Sequence, residues 1–263
     1  MNGGKIKWNK ILAISMKDMK EAFSSLSISG PMIGVPIFFA VLLPFFTFYI
    51  ARYAGSTILP QIAGISVTQS FGNFYFVEFF SINILGPIFM TMPIITASVL
   101  AADSFAGEKE RKTAEALLNT PTTNGELLIG KIFASLIPAV ILTIAVFLIY
   151  ASITDYLSLG SFGIAIFPNI AWYMMLLNAP FLALTTIGLV VLISTKVRGI
   201  KEAQQISTLL ILPLLVIPFA SIFNLAKLNL RFFIILLIVL IITSSAVLYL
   251  SEKFFDRERF ILS

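Results

Sequence analysis

The sequence contains no cysteine and no histidine, and only 12% of its 263 residues are charged. The first absence excludes disulfides and thiolate chemistry, and the second excludes any triad or proton relay built on imidazole. Zinc and haem lose their usual ligands, so no metal site is expected. The scarcity of charge excludes more. Soluble domains carry about 25% charged residues, and a chain that is 58% hydrophobic with a mean hydropathy of +0.98 cannot keep itself in water. It reads as an integral membrane protein. Its length leaves no room for six spans plus a soluble catalytic domain of about 150 residues. The opening segment is basic but carries charge as far as Glu21, unlike the apolar core of a cleaved signal peptide.

A helix needs about 20 mostly apolar residues to cross a bilayer. The uncharged runs supply six, at about 30–51, 79–102, 128–154, 170–195, 206–226 and 231–251. Residues 53–77 are also uncharged but too polar and Gly-rich to count, and 156–169 are broken by Gly and Ser. Fifteen of the eighteen Lys and Arg fall at one end of these spans, with Arg52, Lys227 and Arg231 alone at the other. That imbalance places both termini in the cytoplasm. It also explains the net charge of +5 by proximity to anionic lipid, without nucleic acid. In residues 5–26, Trp8, Ile11, Leu12, Met16, Met19, Phe23 and Leu26 recur at helical spacing between lysines, the pattern of a helix lying in the membrane interface. Phe71, Phe74, Tyr75, Phe76, Phe79 and Phe80 predict an outer interfacial helix or a helix end.

The apolar cores hold no charged residue, whereas ion-coupled carriers place one near the midplane. Thr47, Asn83, Thr91, Asn178 and Thr185 are candidates to line a pathway, although scattered Ser, Thr and Asn more often join helices. Pro36, Pro44, Pro87, Pro93, Pro138, Pro180, Pro213 and Pro218 fall within the first five spans and permit kinks. Residues 125–131, GELLIGK, match a phosphate-binding loop only superficially. Ile132 stands where a magnesium-ligating Ser or Thr is required, and no strand precedes. Thr123 and Glu126 have instead the spacing of a helix capping box. Lys131 is placed at the inner leaflet, where its loss would cost about 1 kcal/mol.

The densest charge lies at 102–131. Glu108 with Lys112 and Arg111 with Glu115 are spaced i,i+4, predicting a short exposed helix that ends before Thr120-Pro121. The run Phe105, Glu108, Lys109, Glu110, Arg111, Thr113, Glu115, Leu117, Leu118, Thr120 and Pro121, followed by Gly130-Lys131, resembles the loop of ABC-2-type transporter permeases. The family pattern is roughly F-x-x-E-K-E-R-G-T-x-E-x-L-L-x-T-P and then G-K; Lys112 and Ala114 depart from it. Residues 198–213, RGIKEAQQISTLLILP, are similar to the family's loop before span 5.

The resemblance covers essentially the whole chain. It implies one all-α membrane domain over 1–263 with six transmembrane helices, cytoplasmic termini, an interfacial helix at 5–26 and a coupling loop at 103–127. In that loop Phe105, Glu108, Lys109, Glu110, Arg111, Thr113, Glu115 and Leu118 would couple to a separate ABC ATPase, supported by Arg198, Glu202 and Gln204 of the second cytoplasmic loop. ATP and Mg would sit on that ATPase, with no cofactor on this chain and no catalytic residue. A second permease copy or a paralogue would complete the pathway, and membrane lipid would surround it. An exporter in a prokaryotic plasma membrane is the expected setting. The alternative is a permease-like subunit whose ATPase serves assembly or signalling. An intramembrane enzyme lacks a base to activate a nucleophile. The purified chain alone is therefore expected neither to bind nor to hydrolyse ATP; hydrolysis by the chain that is abolished in Lys131→Ala would overturn this reading.

Overall fold

The computed structural model describes residues 7–63, 69–111, 122–194, 196–197, 199–222 and 228–254, with the backbone alone for 53–63, 69–72, 109, 218–222 and 254. No strand occurs among the described residues. Six helices are long and apolar enough to cross a membrane: Leu26–Arg52, Asn73–Gly107, Asn124–Phe162, Ile170–Ser194, Ile200–Ile217 and Leu230–Lys253, here called spans 1 to 6. A shorter helix, α1 (Trp8–Ser24), precedes them.

Span 2 is the centre of the bundle. Of its most apolar stretch 78% is buried, against 17% for spans 5 and 6. Spans 1, 3 and 4 pack around it, span 6 packs on span 4, and α1 lies against span 3. Where helices must approach closely the sequence supplies small residues, as membrane helices require. Ala97, Ala101, Ala102 and Ala106 of span 2 meet Ala183, Ile187 and Val190 of span 4. A Cβ on Gly188 would stand 2.6 Å from Val247 of span 6, and Ser251 donates a hydrogen bond to the Gly188 carbonyl at 2.9 Å. At the other end of span 4, Trp172 anchors an aromatic cluster. Its ring centroid lies 5.1–5.5 Å from those of Phe89, Phe147, Tyr150 and Phe167, a spacing at which aromatic pairs attract.

Proline shapes span 2. A proline cannot donate its share of the helical ladder, and the backbone loosens beside each one. A π-helical turn at Ser81–Leu85 precedes Pro87. A break at Met90–Thr91 precedes Pro93, with the Thr91 hydroxyl donating to the Ile88 carbonyl at 2.6 Å. A second π turn, Asp103–Gly107, ends the span. Pro138 and Pro180 lie inside the helices of spans 3 and 4.

Several boundaries differ from the sequence expectation. The first spanning helix continues to Ala63, so much of the stretch judged too polar is helical. The aromatic run lies on helix Gln69–Phe80 and leads directly into span 2, which makes it a helix end. The third helix reaches Phe162, two turns beyond the expected end, because its loop folds back on it. Asp155 accepts the Ile166 and Phe167 amides at 2.8 and 3.0 Å, and Ser158 donates to the Ile164 carbonyl at 2.6 Å. Gly163, at φ 72°, then ends the helix in the left-handed conformation that glycine adopts without strain.

The two ends of the bundle can be assigned to sides experimentally. Ala165 and Lys201 are exposed at opposite ends, and the chain has no native cysteine. If the cation bias sets orientation, Ala165→Cys should react with an impermeant maleimide on sealed cells, and Lys201→Cys only after permeabilisation. The reverse pattern would show the opposite orientation.

Candidate functional site

The charges of the loop after span 2 do not project freely into water. Lys131, about two turns into span 3, is 1% exposed. Its ammonium lies 2.8 Å from Glu108 Oε2 and 3.2 Å from Asp18 Oδ2. It also donates to the Ser104 carbonyl and sits 5.4 Å from the centroid of the buried Phe105 ring. Ser104 Oγ donates to Asp18 Oδ2 at 2.6 Å. Three elements distant in sequence thus meet at one cation: α1 through Asp18, the end of span 2 through Ser104 and Glu108, and span 3 through Lys131.

A more exposed ring surrounds this centre. Lys17 bridges Asp18, Glu108 and Glu21 at 3.6, 3.8 and 3.9 Å. Arg111 pairs with Asp103 at 2.8 Å and Glu21 at 3.3 Å. Partial burial alone would lower the Arg111 pKa, but the hydrogen bond to Asp103 and the fields of Asp103, Glu21 and Glu108 outweigh it and raise the value above its ordinary level. Glu126 joins the other edge. It completes the expected capping box with Thr123 and accepts the Lys7 amide at 2.9 Å. α1 is therefore held at its start by Glu126 and along its length by the Lys131 centre. Gly130 makes the close packing feasible, since a Cβ there would lie 2.9 Å from Ile14.

The face that α1 turns inward is Ile11, Ser15, Asp18 and Ala22. Trp8, Leu12, Met16 and Phe23 remain exposed on an adjacent stripe, Met16 at 70%. Ile11 thus belongs to the packed face rather than to the exposed apolar stripe assigned from sequence.

Of the coupling residues named from sequence, Phe105 and Glu108 are buried, at 0% and 6% exposure. The expectation of an exposed charged helix in the 103–127 loop is therefore corrected for Asp103–Glu108, which continue span 2 as buried structure because α1 and span 3 supply their partners. Lys109 lies in helix Glu108–Glu110, and Glu110 and Arg111 are exposed. Thr113, Glu115, Leu118 and Arg198 lie outside the described residues, as do Lys112 and the expected helix end. Glu110 reaches the second loop: its Oε2 accepts the Ile200 amide at 2.9 Å, at the start of helix Ile200–Thr208. Glu202 and Gln204 lie on that helix. Gln204, Lys201 and Glu110 line a cavity of about 260 Å³ with Ser27, Pro31 and Val99.

The five pathway candidates lie on spans 1, 2 and 4. Thr47, Thr91, Asn178 and Thr185 are buried and Asn83 is half-buried. Each returns a hydrogen bond to a carbonyl of its own helix, at 2.6–3.1 Å.

Sequence reading missed Asp18, Lys17, Glu21, Asp103, Ser104 and the burial of Lys131. One signal was available. Ile11, Ser15, Asp18 and Ala22 repeat at i, i+4, i+7 and i+11, a second helical stripe with an acid at its centre.

Six apolar helices with a proline-loosened span at their centre, and the loop after that span fixed by ion pairs, define a multi-pass membrane protein. Residues 12–260 match the family described as ABC-2 family transporter protein, and the chain belongs to that family. It is a membrane permease of an ABC transporter. Individual curated proteins give no match to the chain.

The geometry overturns the small cost assigned to loss of Lys131. Removing one member of a buried ion pair costs about 3–5 kcal/mol, because the partner's charge is left uncompensated. Lys131→Met should therefore lower thermal stability in detergent sharply, and adding Glu108→Gln and Asp18→Asn should recover much of the loss. Melting of Lys131→Met at the native temperature would refute the buried pairing.

Proposed function

We propose that this permease is the pathway-forming subunit of an exporter and is driven by a separate ATPase that docks beside Glu108–Arg111. The observation that carries the reading is the Lys131 centre, which ties the end of span 2 to α1 and span 3. A push on a flexible hairpin dissipates in the hairpin. A push on this loop is delivered to three elements at once, and through Glu110 to helix Ile200–Thr208. ATP and Mg are held by the ATPase, and Lys131 has its donors engaged by Glu108, Asp18 and Ser104 rather than turned to a phosphate. ATPase closure then favours one arrangement of the spans over another by binding it more tightly, which is the physical content of a driven population shift. A second copy or a paralogue supplies the other half of the pathway, and the exposed stripe of α1 rests in the cytoplasmic interface.

Glu110 gives the cleanest test, because Arg111 is held by Asp103 and Glu21 and its reversal would disturb the permease itself. Glu110→Arg should weaken ATPase capture at least about tenfold, or about 1.4 kcal/mol, or uncouple hydrolysis from transport at normal membrane levels. Glu110→Gln keeps an acceptor for the Ile200 amide and should retain coupling. Glu110→Ala separates loss of that hydrogen bond from charge reversal. Full capture and full transport by Glu110→Arg would remove the docking assignment. ATPase capture without ATP-dependent movement of solute would favour a role in assembly or signalling.

A further inference from the structure

At the end of the bundle opposite the Lys131 centre, spans 1 and 3 and the start of the span 2 helix enclose two adjoining cavities. One, of about 300 Å³, is lined by Arg52, Asn73, Gly160 and Ser161 over a floor of Phe48 and Phe162. The other, of about 200 Å³, shares Phe48, Arg52 and Ser161 and opens between Phe45, Tyr49 and Leu157. The floor is firm: Phe48 and Phe162 stack at 5.9 Å, and Phe74 meets Phe162 edge-on at 5.8 Å. The combined space is polar at one side and apolar at the other, and Phe45 and Tyr49 are exposed on the outer face of span 1.

Three observations point to one kind of occupant. Arg52 is the charge that closes the uncharged run of span 1, on a helix that continues to Ala63. No ion pair of Arg52 occurs among the described residues, and the sequence offers few partners. Among the described residues Glu78 and Asp155 are the acids at this end of the bundle, and Asp155 is engaged by the Ile166 and Phe167 amides. Finally, Asn73 and Ser161 add polar side chains beside Arg52 in the cavity lining.

We propose that this groove binds a glycerophospholipid. The phosphate pairs with Arg52, whose planar fork suits a phosphate. Asn73 and Ser161 flank the headgroup, and an acyl chain lies along Phe45, Tyr49 and Leu157. A free phosphate would use only the polar half of the site and a neutral diacylglycerol only the apolar half.

Native mass spectrometry of the full chain in detergent micelles tests this with three probes: phosphatidylglycerol, diacylglycerol with the same chains, and glycerol 3-phosphate. Phosphatidylglycerol should be retained at one molecule per chain, and the other two should not. Arg52→Gln should reduce retention at least about tenfold, the loss of one charge-assisted contact. Gly160→Leu offers a second route, because a Cβ at Gly160 meets nothing within 4 Å. The larger side chain can fill the groove without disturbing the helix, and it should also displace the lipid. Arg231→Gln, an exposed cation at the same end of the bundle, should change nothing. Native retention in both Arg52→Gln and Gly160→Leu overturns the proposal. So does equal retention of diacylglycerol, which would mark an unspecific apolar groove, or equal binding of glycerol 3-phosphate, which would mark a free anion site.

Discussion

The pairing of Lys131 with Asp18 and Glu108 is the constraint on which this end of the molecule depends. Withdrawing an ammonium and two carboxylates from water costs several kcal/mol per ion, and mutual attraction repays it only when geometry and hydrogen bonding are good. Here the Ser104 hydroxyl and carbonyl complete the set. Such a centre adds little net stability compared with well-packed apolar side chains. Its consequence is positional. α1 cannot slide along span 3, and span 2 cannot end a turn earlier, without leaving a buried charge uncompensated. The short approach at Gly130 and the Glu126 contacts to Lys7 and Thr123 follow from that fixed placement.

The same placement explains why GELLIGK mimics a phosphate loop. Its glycine and lysine have structural partners within the chain: Gly130 admits Ile14 of α1, and Lys131 enters the ion centre. Both loop types exploit glycine for close approach and lysine for a fixed positive charge, so the local letters converge although the surroundings do not. Charge at the two ends of the bundle is handled differently. Near Lys131 four carboxylates face three cations in contact among the described residues. Near Arg52 the cation stands over a groove with no carboxylate paired to it among the described residues.

Span 2 combines the deepest burial with the most irregular backbone. Its π turns and the break at Met90–Thr91 fall beside Pro87, Pro93 and the charged terminus. The central helix is thus both enclosed and locally loosened, whereas spans 5 and 6 are largely exposed on their outer faces.

Six spans, an all-helical architecture, the capping box at Thr123 and the family were legible in the sequence, because they rest on local quantities. Apolar run length, charge-free intervals and short-range spacing act within a few turns of chain. The end of the third helix at Phe162 was not legible, since Asp155 and Ser158 stabilise it through residues 164–167 beyond the helix. Phe105 and Glu108 were found as motif members but read as exposed, because exposure depends on what covers them. Asp18, 86 residues from Ser104 and 113 from Lys131 in sequence, carries no local mark of its partners. The sequence alone determined that this chain crosses a membrane and which transporter family it joins, for hydrophobic length and motif spacing are properties of the chain itself. Only the tertiary structure decided which charges are buried together and which remain open to a partner, because an ion's energy is set by the groups brought within a few ångströms of it and not by its neighbours in sequence.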